Sequence, residues 1–413
     1  MPHKHALAVL ILTVVAVAGG IAAGWYWGPA MDSVAWLGAL FLNALKMLIV
    51  PLILAAVISG IASLGDVRRL GRIGGATLAY YICTTAIAVL IGLVMVNLIR
   101  PGDGLQIRDA TVPERILEKQ DTGVSDILLS LISPNLIASA ADMQLLPLIV
   151  FGILFSAALT TLGARGARVI GFFDGVNEAI MKLVTWLMYF APLGIFGLIA
   201  ARLGSAGGGD AVANEIAAVG WHVVTVLSGL AIHFVVLLAI LFFVAGRGWG
   251  YLVNMLRALM TAFGTASSSA TLPLTMECAR ENGVDERSVR FVLPLGSTVN
   301  MDGTALYEAA AVMFIAQAYG VELGLGAQAV VFVTATLAAI GAAGIPEAGL
   351  VTMVIVLNAV GLPLEGIGLL LTVDWFLDRF RTSINVWGDA VGAAVIDRLL
   401  RRAPAGNPAA ETD

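Results

Sequence analysis

Charged side chains are scarce in this chain: only 12% of its 413 residues are Asp, Glu, Lys or Arg, whereas 59% are hydrophobic. The charge-poor runs recur along the whole length, so no segment has the composition of an independent soluble domain. The net charge of -5 is spread over loops and the last third rather than over a tail, which argues against a nucleic-acid partner. The composition therefore predicts one multi-pass protein in a lipid bilayer.

Cysteine is nearly absent, and the two thiols lie in different segments without a CxxC pair or a nearby pair of histidines. Cys83 and Cys278 are therefore expected to be buried apolar thiols rather than a disulfide or a zinc site. The chain also lacks the signatures of serine hydrolases, zinc proteases and ATP-binding loops. Asp374 and Asp378 could imitate a carboxylate dyad, but the adjacent arginines would keep both ionised. No enzyme activity and no cofactor are predicted.

Long apolar runs predict membrane spans near residues 6–28, 35–63, 74–99, 127–162, 176–200 and 216–245. The first is interpreted as an uncleaved helix rather than a signal peptide, because its uncharged stretch is long enough to span. The basic residues that decide the orientation fall on one side of this layout, namely Lys4, Arg68, Arg69, Arg72, Arg165, Arg168, Arg247, Arg398, Arg401 and Arg402. Because basic loops stay inside, both termini are predicted to be cytoplasmic.

Beyond residue 246 the apolar segments become short and are interrupted twice. The interruptions read GTASSSATLP at 264–273 and GAAGIP at 341–346. Paired interruptions of this kind are typical of re-entrant hairpins in transporters, whose free backbone groups face a cavity rather than lipid. Ordinary kinked helices packed through small residues are the alternative. The run of serines at 267–269 favours hairpins.

A polar stripe follows near the end of the chain, where residues 374, 378, 381, 385 and 389 are spaced to share one helix face. A central Asp or Arg in lipid costs roughly 2.5 to 3.5 kcal/mol, so these charges need a purpose. Arg381 suits a carboxylate, because its planar fork binds bidentately and keeps its charge. Asp378 could receive an ammonium group, so the pair fits an acidic amino acid. An Asp378–Arg381 salt bridge without any ligand is the alternative.

A second polar segment, GSTVNMDGTALYE at 296–308, predicts a helix that is interrupted in its middle. Asn300 and Thr304 share one face, whereas Asp302 would point the opposite way on a regular helix. Local unwinding from Asn300 to Gly303 would free carbonyl oxygens and let both side chains reach partners. Carboxylate, amide and carbonyl oxygens together favour sodium ions. The alternative is that Asp302 pairs with an arginine to hold helices together.

Two further polar features have weaker signals. Glu308 lies on an apolar face, where a lone carboxyl group could carry a proton or could be a neutral, hydrogen-bonded core residue. Tyr81, Thr84 and Thr85 form a small polar cluster in the third span, although threonine hydroxyls commonly bond back to their own helix. His222 and His233 are expected to be packed rather than reactive.

Four motifs, in this order, resemble the glutamate transporter family of dicarboxylate/amino acid:cation symporters: SSSATLP at 267–273, NMDGT at 300–304, GIPEAG at 344–349 and DRFRTSINVWGD at 378–389. The resemblance covers nearly the whole chain. It implies an all-α fold of eight transmembrane helices and two re-entrant helical hairpins, built as inverted repeats. It also implies a homotrimer in which a mobile transport domain moves like an elevator against a rigid scaffold.

The resemblance also divides the chain. The implied scaffold comprises residues 1–73, with helices 1 and 2, and residues 100–205, with an extracellular loop and helices 4 and 5. The implied transport domain comprises helix 3 at residues 74–99 and all of residues 206–413. Within the latter, the family's order is helix 6, hairpin 1 near 250–284, helix 7 near 288–318, hairpin 2 near 326–360 and helix 8 near 364–402.

The motif positions imply three sets of site residues. The implied substrate-binding residues are Ser268, Thr304, Asp378, Arg381, Thr382 and Asn385. The implied sodium ligands are Asn300, Asp302, Asn385 and Asp389 with carbonyl groups near Gly296, Thr298 and Met301, and a further sodium site with Tyr81, Thr84, Thr85, Asn300 and Asp302. Glu308 resembles the proton-carrying residue of carriers that also exchange potassium.

The chain departs from the family pattern in the second hairpin, where Glu347 replaces the usual Gln or Gly and Ala339 replaces a serine. Asp374 and Arg379 receive no ligand. The absence of a long insertion in the fourth helix favours a prokaryotic source, which places the protein in a cell (inner) membrane.

These observations predict a secondary active symporter that moves L-glutamate or L-aspartate inward on a sodium gradient. Glu308 is expected to co-transport a proton, and potassium counter-transport is left open. The alternatives are a neutral amino acid symporter, which Arg381 disfavours, and a C4-dicarboxylate symporter, which would leave Asp378 without an ammonium partner. A proton-only glutamate symporter and an ion channel are the remaining ones.

Overall fold

The computed structural model describes residues 3–62, 71–103, 105, 129, 131–142, 144–205, 210–341 and 348–402. In that part of the chain every regular element is a helix and no strand occurs, so the predicted all-α class is confirmed. The described residues do not include Arg68 and Arg69 or most of the predicted loop 100–126. They also exclude residues 342–347, which contain Glu347 and nearly all of the predicted second interruption.

Fifteen α-helices follow one another within the described ranges. They are α1 His3–Trp27, α2 Ala35–Ala62, α3 Gly71–Ile99, α4 Leu136–Ala141, α5 Leu145–Thr160, α6 Ala164–Ser205, α7 Asp210–Ala239, α8 Trp249–Thr265, α9 Ser268–Glu281, α10 Glu286–Val299, α11 Asp302–Ala318, α12 Leu325–Ala338, α13 Ala348–Val360, α14 Ile367–Leu370 and α15 Asp374–Arg402. Short 3₁₀ turns join several of them at Gly28–Val34, Ala339–Gly341 and Leu364–Gly366, and a π-helical turn, Ile240–Ala245, extends α7.

Three helical stretches of the described chain are long and apolar enough to cross a membrane: Ile11–Ala44, Ile73–Ile99 and Glu215–Ala245. A fourth candidate is the bent pair Ala164–Leu187 and Tyr189–Ser205 in α6, whose halves meet at 53°. Pro192 explains the bend. The ring of a proline clashes with the carbonyl group four residues earlier, and that residue lies at the junction of the two halves.

The predicted single span at 127–162 is wrong for its described residues, where α4 and α5 are separate helices. Asn135 begins α4 by accepting hydrogen bonds from the amides of Ile137 and Ala138 at 3.0 and 3.1 Å. Asp142 and Gln144 then leave the helical conformation before α5 starts. Capping by polar residues therefore separates two helices within an apolar run that hydropathy alone would assign to one span.

The helices pack in two sets. In the first, α6 lies against α1 and α2, and α5 packs on α2. In the second, α11 contacts α3, α7, α13 and α15, while α10 also packs on α15. Nearly every side chain of α11 is buried, so this helix is the centre of the second set.

The first interruption is a tight turn between α8 and α9, which pack on each other. Ala266 has a left-handed conformation with φ of 49°, and Ser267 caps α9 through the amide of Ala270 at 3.2 Å. At the far ends of the two helices, Asn254 donates to Asn282 at 2.9 Å. Contact at both ends makes α8 and α9 a helical hairpin and excludes a single kinked span here.

The open end of this hairpin is fixed by charges outside the apolar spans. Hydrogen bonds from Arg280 and Arg290 lower the pKa of Glu286 to about 2, so this carboxyl group stays ionised. The buried Asp397 of α15 accepts from Arg247 at 2.6 Å and from the amide of Asp285 at 3.1 Å. These contacts join the hairpin and the start of α10 to the end of α15.

Cys278 is buried as expected, but Cys83 is exposed, which corrects the prediction that both thiols are buried. Cys83 and the preceding Ile82 are exposed on α3, whereas the following Thr84 and Thr85 are buried. Because α3 is long and apolar enough to cross a membrane, its exposed face is expected to meet lipid rather than protein.

Candidate functional site

The site is built around a break between α10 and α11. Val299 ends α10, Asn300 and Met301 have non-helical ψ angles of 85° and 56°, and Asp302 begins α11. The predicted interruption is thus confirmed, although Gly303 already belongs to α11. Gly303 is required for another reason, because a Cβ there would lie 2.5 Å from the carbonyl oxygen of Arg381.

Beside the break, polar oxygens from three helices converge. Thr85 of α3 donates to Oδ1 of Asp302 at 2.7 Å, and Nδ2 of Asn300 donates to Oδ1 of Asp389 in α15 at 3.1 Å. The hydroxyl of Thr84 lies 3.4 Å from Oδ1 of Asn300. All five side chains are buried. The structure therefore brings together the core of the predicted sodium ligands.

Asp302 is held by two donors and by no arginine among the described residues. Thr85 occupies Oδ1, and Nε2 of His233 in α7 lies 3.0 Å from Oδ2. The alternative of an Asp302–arginine pair is therefore not what the structure contains. The sequence predicted only that His233 is packed, and it gave no indication of this contact with a predicted sodium ligand.

Gly296 lies unusually close to Asp389. A Cβ on this residue would be 2.2 Å from Oδ1 of Asp389 and 2.7 Å from the hydroxyl of Tyr81, so only glycine fits. Tyr81 donates to the carbonyl of Val292 at 2.6 Å, and Thr298 bonds back to Leu295 at 3.0 Å. The hydroxyls of both predicted residues are thus directed at backbone carbonyls of α10.

Asn385 joins α15 to the first turn of α11. Its Oδ1 accepts from the amide of Gly303 at 2.7 Å, and its Nδ2 donates to the hydroxyl of Thr304 at 3.2 Å. The same amide nitrogen lies 3.3 Å from the sulfur of Met301. Three predicted site residues, Met301, Thr304 and Asn385, are therefore in direct contact.

Arg381 is fully buried one turn before Asn385. Its Nη2 donates to Asp378 at 2.9 Å, and its Cζ lies 4.0 Å from the ring centre of Tyr307. Nη1 lies 2.9 Å from Asp374, as an ion pair without hydrogen-bond alignment. Asp374, to which the sequence assigned no role, is thus a partner of Arg381, and the Asp378–Arg381 salt bridge considered as an alternative exists.

The remaining predicted substrate residues line the same region. Thr382 is buried and donates to the carbonyl of Asp378 at 2.8 Å. Ser268 is buried in the first turn of α9, a helix that packs on α15. From α13, a Cβ on Gly349 would lie 2.9 Å from Nη1 of Arg381. Helices α11, α13 and α15 therefore enclose the guanidinium group.

Comparison with known proteins decides the family. Residues 9–399 match the family model described as the sodium:dicarboxylate symporter family. The chain belongs to this family of symporters. It is therefore an integral membrane transporter coupled to sodium and not an enzyme, which confirms the resemblance seen in the motifs.

Three animal proteins illustrate the similarity of this symporter to known relatives. It is 39% identical to excitatory amino acid transporter 1 of Ambystoma tigrinum, over 88% of this chain and 77% of that protein. It is 38% identical to excitatory amino acid transporter 3 of Oryctolagus cuniculus, over 95% and 86%. It is 40% identical to an excitatory amino acid transporter of Caenorhabditis elegans, over 94% and 87%. These similarities give no support to the expected prokaryotic source.

Glu308 of the symporter is fully buried one turn beyond Thr304. Its Oε1 accepts a hydrogen bond from the hydroxyl of Thr352 in α13. Its Oε2 has no hydrogen-bond partner in the described part of the chain. The carboxyl group thus contacts the second predicted hairpin, a link that the sequence did not reveal because Thr352 is 44 residues away.

Arg379 has a contact of its own, on a different side of α15 from Arg381. Its Nη1 donates to the carbonyls of Phe263 and Gly264 at 3.1 and 2.9 Å. These carbonyls belong to the last turn of α8, where no helical amide is left to satisfy them. Arg379 therefore caps one half of the hairpin and does not line the Arg381 cluster.

Proposed function

We propose that this symporter carries L-glutamate or L-aspartate into the cell on a sodium gradient. One observation carries the proposal: Arg381 is a fully buried guanidinium whose Nε has no hydrogen-bond partner among the described residues. An unsatisfied charged donor is costly in a protein interior unless a ligand completes it. A carboxylate is the ligand that its planar fork fits.

The charges around Arg381 favour an amino acid over a plain dicarboxylate. Asp374 and Asp378 give the cluster a formal charge of minus one, so an added carboxylate alone would meet repulsion. An ammonium group offsets this repulsion by pairing with Asp378. Ser268, Thr304, Thr382 and Asn385 complete the proposed substrate site. The excitatory amino acid transporters named above are relatives consistent with such a substrate.

The sodium ions are proposed to bind at the converging oxygens. Asp302 and Asp389 are buried, and among the described residues no basic side chain bonds to either of them apart from the ring of His233. Two carboxylates in such a place need cations, and the neighbouring oxygens suit a hard monovalent ion. The proposed ligands are Asn300, Asp302, Asn385 and Asp389 with carbonyls near Gly296, Thr298 and Met301. At a further site they are Tyr81, Thr84 and Thr85 with Asn300 and Asp302.

Coupling between sodium and substrate is proposed to run through the first turn of α11. Asn385 contacts Met301, Gly303 and Thr304 on one side and lies four residues after Arg381. An ion that orders the break at Asn300 and Met301 would therefore also fix Thr304 beside the substrate. This arrangement makes the two ligands favour each other's binding.

Glu308 is proposed to carry a proton, with potassium returning when it is ionised. The carboxyl group is buried, contacts α13 and has one oxygen without a partner in the described residues. A bound proton neutralises a buried carboxyl group of this kind. Loss of the proton leaves a buried negative charge that a cation could offset. The hydrogen bond from Thr352 would then make the second hairpin sensitive to whether Glu308 is protonated.

The proposed architecture follows the two packed sets of helices. We assign α1, α2, α5 and α6 to the scaffold, within residues 1–73 and 100–205. Residues 74–99 and 206–413 form the transport domain in this proposal. It also includes eight transmembrane helices with two re-entrant hairpins, a homotrimer, elevator-like movement, and cytoplasmic termini in a cell membrane.

Uptake into proteoliposomes tests the function. Radiolabelled L-glutamate should accumulate above its external concentration when sodium is imposed outside, and it should not accumulate when choline replaces sodium. Unlabelled L-aspartate should compete, whereas succinate and L-alanine should compete weakly. Equilibration without accumulation would indicate a channel, and accumulation driven by a proton gradient alone would indicate proton-only symport.

A further inference from the structure

His233 is a buried histidine that belongs neither to the proposed substrate-binding residues nor to the proposed sodium ligands. It lies within the apolar stretch Glu215–Ala245, and its side chain is completely buried. Nε2 is 3.0 Å from Oδ2 of Asp302, a residue 69 positions later in the chain. This contact is the one hydrogen bond that the ring of His233 makes in the described part of the chain.

We propose that His233 is a positioning residue for the sodium site: its Nε2–H group holds the carboxylate of Asp302 in the orientation that sodium requires. The inference rests on the proposed role of Asp302 as a sodium ligand. A carboxylate oxygen next to Nε2 can only accept, so the proton lies on Nε2. Nδ1 has no hydrogen-bond partner in the described part of the chain, so the ring makes one directional bond.

The location of Asp302 explains why it needs such support. It is the first residue of α11 and follows two non-helical residues. Regular helix geometry therefore constrains the backbone after Asp302 but not the backbone before it. Thr85 of α3 holds Oδ1 and His233 of α7 holds Oδ2, so two separate helices orient one carboxylate. Without His233, the carboxylate could rotate about its terminal bond, and the ligand oxygens would lose their preorganisation.

The same helix provides a matched control. His222 is also fully buried in α7 and lies eleven residues earlier, about three turns away on the same face. Neither of its ring nitrogens has a hydrogen-bond partner among the described residues, and its ring packs against Phe314 at 4.7 Å between centroids. Replacing His222 therefore removes packing alone, whereas replacing His233 removes packing and a bond to Asp302.

The experiment compares His233→Leu, His233→Gln and His222→Leu with the unchanged protein. Two quantities are measured: the sodium concentration that half-saturates labelled L-glutamate uptake, and the increase in melting temperature that sodium alone produces in the purified protein. Loss of a residue that orients a metal ligand typically weakens metal binding about 10- to 100-fold. His233→Leu should therefore raise half-saturation about tenfold or more and reduce the sodium-induced stabilisation.

His233→Gln should restore most of the sodium affinity, because its side-chain amide can donate from the same place. His222→Leu should leave half-saturation within about twofold, as expected where no ligand contact is lost. The proposal is wrong if His233→Leu leaves sodium affinity unchanged, or if both leucine variants weaken it equally. The stabilisation measurement decides the question for a variant that folds but does not transport.

Asp302→Asn separates this inference from the proposed function. If Asp302→Asn leaves the sodium-induced stabilisation intact, Asp302 is not a sodium ligand and the assigned sodium site fails. If Asp302→Asn abolishes the stabilisation while His233→Leu does not, the sodium site stands and only the positioning role fails. Because stabilisation by sodium needs no substrate, neither result depends on glutamate being the cargo.

Discussion

At the scale of single residues, the buried charges near the end of the chain are organised in pairs that cross the helices. Arg381 contacts Asp374 and Asp378, and it also lies over the ring of Tyr307. The ring and the two carboxylates hold the guanidinium in place before any ligand arrives. Such preorganisation reduces the entropic cost of ordering the arginine side chain when the substrate binds.

Arg381→Cys should abolish the recognition of acidic substrates. Truncating one member of a buried charge pair costs about 2 to 5 kcal/mol, so glutamate uptake should fall at least about thirtyfold in kcat/KM. Sodium-driven uptake of L-alanine should appear, because the site would keep Asp378 for the ammonium group. Unchanged glutamate uptake would contradict the substrate assignment.

Arg379→Cys serves as the comparison for that variant. It removes an arginine from the same helix but one that caps carbonyls of α8 rather than facing Asp374 and Asp378. The preference for acidic over neutral amino acids should therefore persist, whatever the effect on total activity. Competition between labelled glutamate and unlabelled alanine measures this preference in both variants.

Glu308→Gln should separate sodium coupling from proton coupling. The amide keeps the size and one hydrogen-bonding atom of the carboxyl group but cannot exchange a proton. In the unchanged protein, uptake should rise as the external solution becomes more acidic and should depend on internal potassium. In Glu308→Gln both dependences should disappear while sodium-dependent exchange of glutamate remains.

Thr352→Val provides the control for this test. It removes the hydroxyl that bonds to Glu308 but leaves the carboxyl group itself. Uptake should still respond to external pH, with the response moved along the pH axis. If Glu308→Gln retains the full pH response, the proton is carried by another group.

At the scale of elements, the break between α10 and α11 was predictable because Asn300, Asp302 and Thr304 could not all reach partners from one regular helix. The first hairpin was predictable from its run of serines. The contacts Asp302–His233 and Glu308–Thr352 were not, since they join residues 69 and 44 positions apart. Nothing in the spacing of one helix indicates which face of another it meets.

The division of 127–162 into two helices was missed for a related reason. Hydropathy averages over a window, whereas Asn135 acts through single hydrogen bonds to two amides. Asp374 was likewise placed on the correct helix face without a partner. Its ion pair with Arg381 depends on side-chain direction, which residue spacing alone leaves open.

Gly296→Ala should test how closely α10 must approach α15. The added Cβ would lie 2.2 Å from Oδ1 of Asp389, so the carboxylate must move away from Asn300. The sodium concentration for half-saturation should rise about tenfold or more, comparable to other losses of ligand geometry. Gly220→Ala in α7 is the control, because its Cβ would meet no atom within 4 Å. An unchanged sodium dependence in Gly296→Ala would place the ion elsewhere.

At the scale of the whole molecule, the two packed sets of helices contact each other less extensively than the helices within each set do. One is the approach of α14 to α6, where a Cβ on Gly368 would lie 3.6 Å from Cβ of Leu198. If the second set moves against the first during transport, contacts of this kind must separate in every cycle. A covalent link here should then stop transport without disturbing either set.

Cysteines at positions 198 and 368 should therefore form a disulfide that locks the transporter. The distance lies within the range of about 3.5 to 4.5 Å between Cβ atoms that a disulfide needs. In a background where Cys83 and Cys278 are replaced by serine, an oxidant should abolish uptake by Leu198→Cys/Gly368→Cys, and a reductant should restore it. Val57→Cys/Gly152→Cys is the control, since the two Cβ atoms would lie 3.4 Å apart, at the short end of this range, and both positions belong to the first set. A disulfide there should leave uptake intact. Full transport by protein that is demonstrably cross-linked between 198 and 368 would mean that these two helices move together, and the proposed elevator movement across this contact would be wrong.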